Sequence, residues 1–219
     1  MSFKSGVILI LLSAAAWGLG GVCGQFLYQF HSVTAPWLIA VRQVLAGFIF
    51  LGYLLLRGEN IFRIFADKCD TKDQLAFSFL GLLGAQFGFY YTISLCNAAT
   101  ATVLQYTSPV FVMLWMSFKS RRLPEGREFL GIGLISAVSL AFYTVQPMRL
   151  LQKFSTTLVV GWGQLLSGTL LCFFVNPFEP TGSWDTGAVI AFIYLVIGAT
   201  VLSYSLFLVG LKVVGSTKA

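Results

Sequence analysis

Charge is what this chain has least of. Asp, Glu, Lys and Arg make up 10% of its residues, where soluble domains carry about a quarter, and the mean hydropathy is +0.84. That excludes an ordinary soluble domain and makes the lipid bilayer the solvent to reason with. Histidine is nearly absent, with His31 alone in a short link, and no Asp or Glu falls in the middle of an apolar run. The usual parts for general acid–base catalysis, metal-assisted hydrolysis and a carboxylate proton relay are therefore missing from the interior. The sequence reads as a non-enzyme with no cofactor and no metal. Cys23, Cys69, Cys96 and Cys172 are scattered without C-x-x-C spacing, which indicates neither a metal site nor a disulfide framework. There is no phosphate-cradling glycine loop. The excess of 14 Lys and Arg over 8 Asp and Glu follows the segments between apolar runs, so it marks sidedness rather than a nucleic-acid partner.

What the chain does have is apolar length. Runs long enough to cross ~30 Å of hydrocarbon occur at about Gly6–Phe30, Trp37–Leu56, Gln74–Cys96, Ala98–Phe118, Glu128–Gln146, Thr157–Val175 and Gly187–Leu211. Runs such as Gly6-Val7-Ile8-Leu9-Ile10-Leu11-Leu12 do not alternate, which excludes a β-barrel, and backbone groups in lipid must be satisfied within the segment. The fold class is all-α, a polytopic helical membrane protein of about seven spans. The first run exceeds the 7–15 residues of a signal-peptide core and lacks a convincing cleavage context, so it reads as a retained span.

Charge assigns the sides. Arg57, Arg63, Lys68 and Lys72 follow the second run, Lys119, Arg121, Arg122 and Arg127 follow the fourth, and the links His31–Pro36 and Asn97–Ala98 carry no Lys or Arg. The N-terminus and both basic loops are therefore expected on the cytoplasmic side of a bacterial cell membrane. A conflict follows: if Glu128–Gln146 crosses once, Arg149 and Lys153 land outside and the Glu179/Asp185 loop lands inside. At 1.5 Å per residue that run reaches only ~28 Å, enough for one crossing and not for two. One additional helix there would restore every downstream sign, so the chain is expected to lack about one helix at that point.

The sequence also repeats itself. Ser13-Ala14-Ala15 through Val41-Arg42-Gln43-Val44-Leu45-Ala46-Gly47 can be laid on Ser136-Ala137-Val138 through Trp162-Gly163-Gln164-Leu165-Leu166-Ser167-Gly168 with a gap of about two residues. Leu83-Gly84-Ala85 with Tyr90 matches Ile197-Gly198-Ala199 with Tyr204. The expected organisation is a first repeat at 1–135, of about five helices, and an incomplete second repeat at 136–219. Units with an odd number of helices would be inverted relative to each other.

These stretches resemble the EamA family of the drug/metabolite transporter superfamily. The residues that carry the resemblance are Ala14-Ala15-Ala16-Trp17-Gly18, Ala40-Val41-Arg42-Gln43 with Ala46-Gly47, and Tyr90-Tyr91 through Asn97-Ala98-Ala99-Thr100-Ala101-Thr102-Val103-Leu104-Gln105-Tyr106-Thr107-Ser108-Pro109-Val110. The resemblance implies a ten-helix transporter of two inverted five-helix repeats. This chain departs from it where the fifth and sixth helices look fused, at about Gly133–Ser136, and where the last two helices are absent.

Candidate site residues come from polar groups at bilayer depth. Arg42 is the one clear intramembrane charge, with two readings: an anion site for a carboxylate or phosphate, or a stem that snorkels to the outer headgroups. Gln86, Tyr90, Gln105 and Tyr106 need partners that a substrate cavity or interhelical hydrogen bonds would supply. Trp17 near the midplane is a cavity wall or lipid-facing bulk. Tyr143, Gln164 and Tyr204 join from the second repeat by position or depth. The stripes Ala16/Gly20/Gly24, Gly84/Gly88 and Gly133/Ala137/Ala141 read as close helix contacts, and Pro109 as a kink. The function expected is a permease moving a small polar metabolite, an amino acid or related compound, by alternating access. The alternatives are a non-transporting remnant of such a permease and a seven-helix receptor, the latter lacking a mid-span lysine for a retinal-type chromophore. The partners expected are the lipid bilayer and a small-molecule substrate, with a homodimer left open because a second copy could supply helices in trans.

Overall fold

The computed structural model describes residues 3–105 and 148–215. Helix α1 covers Phe3–His31, and its 29 residues extend about 43 Å. A tight link with Ser32 at φ 55° leads into α2, Ala35–Leu56, which starts on Pro36, where a missing N–H costs nothing. Gly58, at φ +73°, ends α2. It supplies the left-handed residue that lets Gly58 and Glu59 donate back to Leu55 and Leu54 at 2.9 and 3.0 Å. A 3-10 turn, Ile61–Phe65, precedes α3, Lys68–Ala76, whose Asp67 cap accepts from Cys69 N at 2.9 Å.

Helix α3 runs without a break through a π-helical stretch, Phe77–Leu83, into α4, Gly84–Leu95. Next come α5, Ala98–Gln105, then α6, Met148–Lys153, and α7, Thr156–Cys172. The last span is built the same way as the third. Helix α8, Thr186–Ile193, capped by Asp185, passes through a second π stretch, Tyr194–Leu202, into α9, Ser203–Gly215. In that stretch Thr200 and Ser203 donate to carbonyls five residues back, Leu195 and Gly198, each at 2.8 Å.

Among the described residues, four helices are long and apolar enough to cross a bilayer: Lys4–His31, Ala35–Leu56, Lys68–Leu95 and Thr186–Phe207. Thr156–Cys172 is a shorter apolar helix. The protein is thus a polytopic helical membrane protein, and the outward side chains agree, with Ile8, Leu11, Leu12, Leu19 and Val22 of α1 each more than half exposed. The fifth run Glu128–Gln146, the Gly133/Ala137/Ala141 stripe and Pro109 lie outside the described residues.

Two glycines set the central crossing. A Cβ on Gly47 of α2 would come within 2.7 Å of the Leu165 backbone nitrogen, and one on Gly168 of α7 within 2.7 Å of the Val44 backbone nitrogen. The contact is reciprocal: the register that lays Gly47 on Gly168 lays Val44 on Leu165. Glycine is required here because two helix backbones touch. The α1 stripe does similar work. A Cβ on Gly20 would come within 2.5 Å of the Ala199 methyl, and one on Gly24 within 3.1 Å of the Tyr90 ring.

Polar contacts tie each end of the bundle. At one end Ser183 N donates to the His31 carbonyl at 2.9 Å and Thr34 N to Thr181 Oγ1 at 3.0 Å. At the other, Asp70 pairs with Lys153 at 2.9 Å and Arg149 at 3.3 Å, and Asp73 pairs with Arg149 at 3.1 Å. Arg149 and Lys153 therefore share an end with the first basic loop, opposite the Glu179/Asp185 loop. The sign conflict expected from a single crossing at Glu128–Gln146 does not arise.

With the basic end inside the cell, a membrane-impermeant thiol reagent added to intact cells should label a single cysteine placed at Ser183 and not one at Gln152; the opposite pattern would refute this arrangement of ends. The glycine crossing predicts that Gly168→Leu lowers stability by about 1–3 kcal/mol through overpacking. Gly52→Ala, where a Cβ meets nothing within 4 Å, should hold or raise it. Thermal unfolding in detergent reads both.

Candidate functional site

Helix α2 sorts its side chains by angle. Gln43, Val44, Gly47, Phe50 and Leu51 are among the residues that meet α7, while Arg42, rotated by about 100° from its neighbour Gln43, faces α4 and the second π stretch. Its side chain is turned into the bundle with the residue 2% exposed, so it does not snorkel to the headgroups.

The guanidinium gathers three residues from two spans. Nη1 donates to Tyr90 Oη at 3.1 Å and Thr200 Oγ1 at 3.2 Å, and Nη2 donates to Gln86 Oε1. Arg42 Cζ lies 4.1 Å from the Tyr90 ring centroid, a cation–π contact. Gln86 uses its other end, donating from Nε2 to Tyr204 Oη at 3.4 Å. Thr200 spends its own proton on the Leu195 carbonyl, which leaves its oxygen lone pairs for Arg42. Behind this layer the Trp17 ring meets Tyr204 edge-on at 5.3 Å and Phe207 at 5.4 Å.

The pattern is doubled along the sequence. Gln86 and Tyr90 are four residues apart on one helical face, as are Thr200 and Tyr204. The register that lays Tyr90 on Tyr204 lays Gln86 on Thr200. The arginine from α2 thus meets both members of the first pair and Thr200 of the second, while Tyr204 is reached through Gln86.

Of the residues singled out from sequence, the structure brings together Trp17, Arg42, Gln86, Tyr90 and Tyr204. Gln164 does not join them: it is fully buried on α7, and neither amide atom has a hydrogen-bond partner among the described residues. Its repeat counterpart Gln43 on α2 is in the same state. Gln105 closes α5, half-buried. Tyr106 and Tyr143 lie outside the described residues.

Two members escaped the sequence reading. Thr200 could have been found as the repeat partner of Gln86. Tyr28 continues the spacing Gly20, Gly24, Tyr28 along α1 and packs on the core that holds Tyr90. Its hydroxyl is buried without a partner among the described residues, as is Nε of Arg42.

Hydrogen bonds to a charged group each contribute about 1.5–3 kcal/mol, and a buried charge that loses an acceptor costs at least as much. Gln86→Leu should therefore lower stability by about 2 kcal/mol in a detergent unfolding assay. Gln29→Leu, on the exposed end of α1, should change it by less than about 0.5 kcal/mol. Equal effects would show that the Gln86 contact carries no weight.

Comparison with known proteins agrees with this architecture. The sequence pattern of the EamA-like transporter family matches residues 4–136 and again residues 130–219. The chain is 32% identical to the uncharacterized inner membrane transporter YicL of Salmonella typhimurium, in an alignment that takes in all of this chain and 82% of that protein. The alignment runs over 246 positions against 219 residues here, so about 27 positions of the relative have no counterpart in this chain. A protein crystal structure superposes with a TM-score of 0.65 at 18% identity, over 95% of this chain and 79% of the other.

Proposed function

We propose that this chain, which belongs to the EamA-like transporter family, moves a small polar metabolite, an amino acid or related compound, across the cytoplasmic membrane by alternating access around the Arg42 cluster. That it is a membrane transporter follows from the family and from the apolar helices. The substrate, the site and the inverted arrangement of two repeats, 1–135 and 136–219, are the further reading.

The observation that carries it is the grip on Arg42 from Gln86 and Tyr90 on one side and Thr200 on the other. A charge buried among helices is expensive and is retained where it serves a pathway. Its ligands come from the two spans that contain π stretches, and such interruptions of regular helix recur at functional sites. A change in how those spans pack would change the arginine's partners directly. The reciprocal Gly47 and Gly168 contact gives the halves a smooth interface on which to rock.

The N-terminus and the Asp70 end are placed in the cytoplasm by the positive-inside rule, and the bilayer and one small molecule are the partners this function needs. The chemistry is binding and release with no covalent step, so the protein is read as a non-enzyme.

Arg42→Ala, reconstituted in lipid vesicles, should lose transport at least tenfold while insertion and the gel-filtration profile stay unchanged. Arg42→Lys should recover only part of the rate, because an ammonium cannot reproduce the planar fork that reaches Gln86, Tyr90 and Thr200 together. Full transport by Arg42→Ala would remove the site from this reading, and no transport by the native chain would favour a non-transporting remnant.

A further inference from the structure

The Arg42 site carries a positive charge that no carboxylate among the described residues balances. The carboxylates of the described residues lie at the two ends of the bundle. Asp67 and Asp185 cap helices, Asp70 and Asp73 pair with Arg149 and Lys153, and Glu59 and Glu179 sit in loops. Glu125 and Glu128 belong by sequence to the second basic segment. Among the described residues the guanidinium meets neutral oxygens and a tyrosine ring.

Two donors there are unused among the described residues: Nε of Arg42 itself and the hydroxyl of Tyr28, both buried with no hydrogen-bond partner. The Tyr28 and Tyr90 rings lie together against Gly24 of α1, where a Cβ would come within 3.9 Å of one and 3.1 Å of the other. Two free donors beside an unbalanced cation are the elements that recognise an anionic oxygen pair.

Resting on the permease reading above and narrowing its substrate to a related compound that lacks the ammonium of an amino acid, we propose that this site exchanges one small organic monoanion for another, a carboxylate held by Arg42 Nε and the Tyr28 hydroxyl. Net charge is the reason. Alternating access requires a state in which the site is closed to water on both sides. With a monoanion bound, the closed site is neutral; empty, it encloses a bare cation in a medium of low dielectric. The empty carrier therefore reorients more slowly than the loaded one, and the cycle runs as exchange. A zwitterion restores the problem, because its ammonium finds no carboxylate and the Tyr90 ring already faces the guanidinium.

The test uses the full native chain in vesicles loaded with a carbon-13-labelled extract of the small soluble metabolites of the bacterial expression host. The vesicles are diluted either into Tris sulfate or into Tris sulfate with the unlabelled extract, and released label is identified by mass spectrometry. Labelled carboxylates lacking an ammonium should emerge at least tenfold faster with unlabelled extract outside, a barrier difference of about 1.4 kcal/mol. Equal rates into both solutions, or release of amino acids or cations, would overturn the exchange proposal while leaving the permease reading intact. No release above protein-free vesicles in either solution would instead fell the permease reading. Tyr28→Phe, confirmed as folded by gel filtration, should slow exchange at least threefold, and an unchanged rate removes Tyr28 from the site. The comparison of the two outer solutions needs no variant, so it decides the matter even if Tyr28→Phe fails to fold.

Discussion

A guanidinium held at bilayer depth cannot be left with its donors unmet, and much of this protein is arranged around that requirement. Arg42 is 2% exposed, and no carboxylate pairs with it among the described residues. Its attraction must therefore come from oriented dipoles, which Gln86, Tyr90 and Thr200 supply. Those three residues can converge only if α2 lies between the third span and the last one. Gly24 helps by letting the Tyr90 ring come close to α1, and Tyr204 and Trp17 close the layer behind Gln86.

A second constraint is the contact of α2 with α7. Side chains cannot fill a crossing where two backbones touch, so Gly47 and Gly168 are the residues the crossing allows. The contact fixes α2 in rotation and thereby fixes which way Arg42 points. It also leaves Gln43 and Gln164 enclosed with their amides unmatched, a costly state for polar groups at this depth. The π stretches in the third and last spans add a different kind of strain. Each shifts helical register by part of a turn, which is how Thr200 comes to donate five residues back and keeps its oxygen free for Arg42.

The chain is shorter than its relative within the matched stretch by about 27 positions, close to the length of one spanning helix. The two ends of the bundle are nonetheless consistent in sign. Arg149 and Lys153 meet Asp70 and Asp73, while the loop containing Glu179 and Asp185 folds over His31, with Gly182 at φ +79° giving the turn. Arg149 and Lys153 thus join the first basic loop at one end, although simple counting of spans put them at the other.

Much of the fold was legible in the residues, because in lipid a run of some twenty apolar residues has few options other than a helix. The described spans came from that pattern, and the family from the motifs that resemble it. So did Arg42, Gln86, Tyr90 and Tyr204, since polar groups are conspicuous in apolar runs. Tyr28 and Thr200 were not legible: a tyrosine near a helix end reads as an interface anchor, and a threonine in an apolar run is common. Gln164 was misjudged as a neighbour of Arg42 because depth along the bilayer normal says nothing about which face of a helix a residue occupies. Sequence by itself determined what must be buried in helices and which polar groups would need partners. Only the tertiary structure decided who the partners are, because hydrophobicity is non-directional whereas a hydrogen bond to a guanidinium depends on the rotation of each helix, and that rotation is set by close contacts such as Gly47 on Leu165.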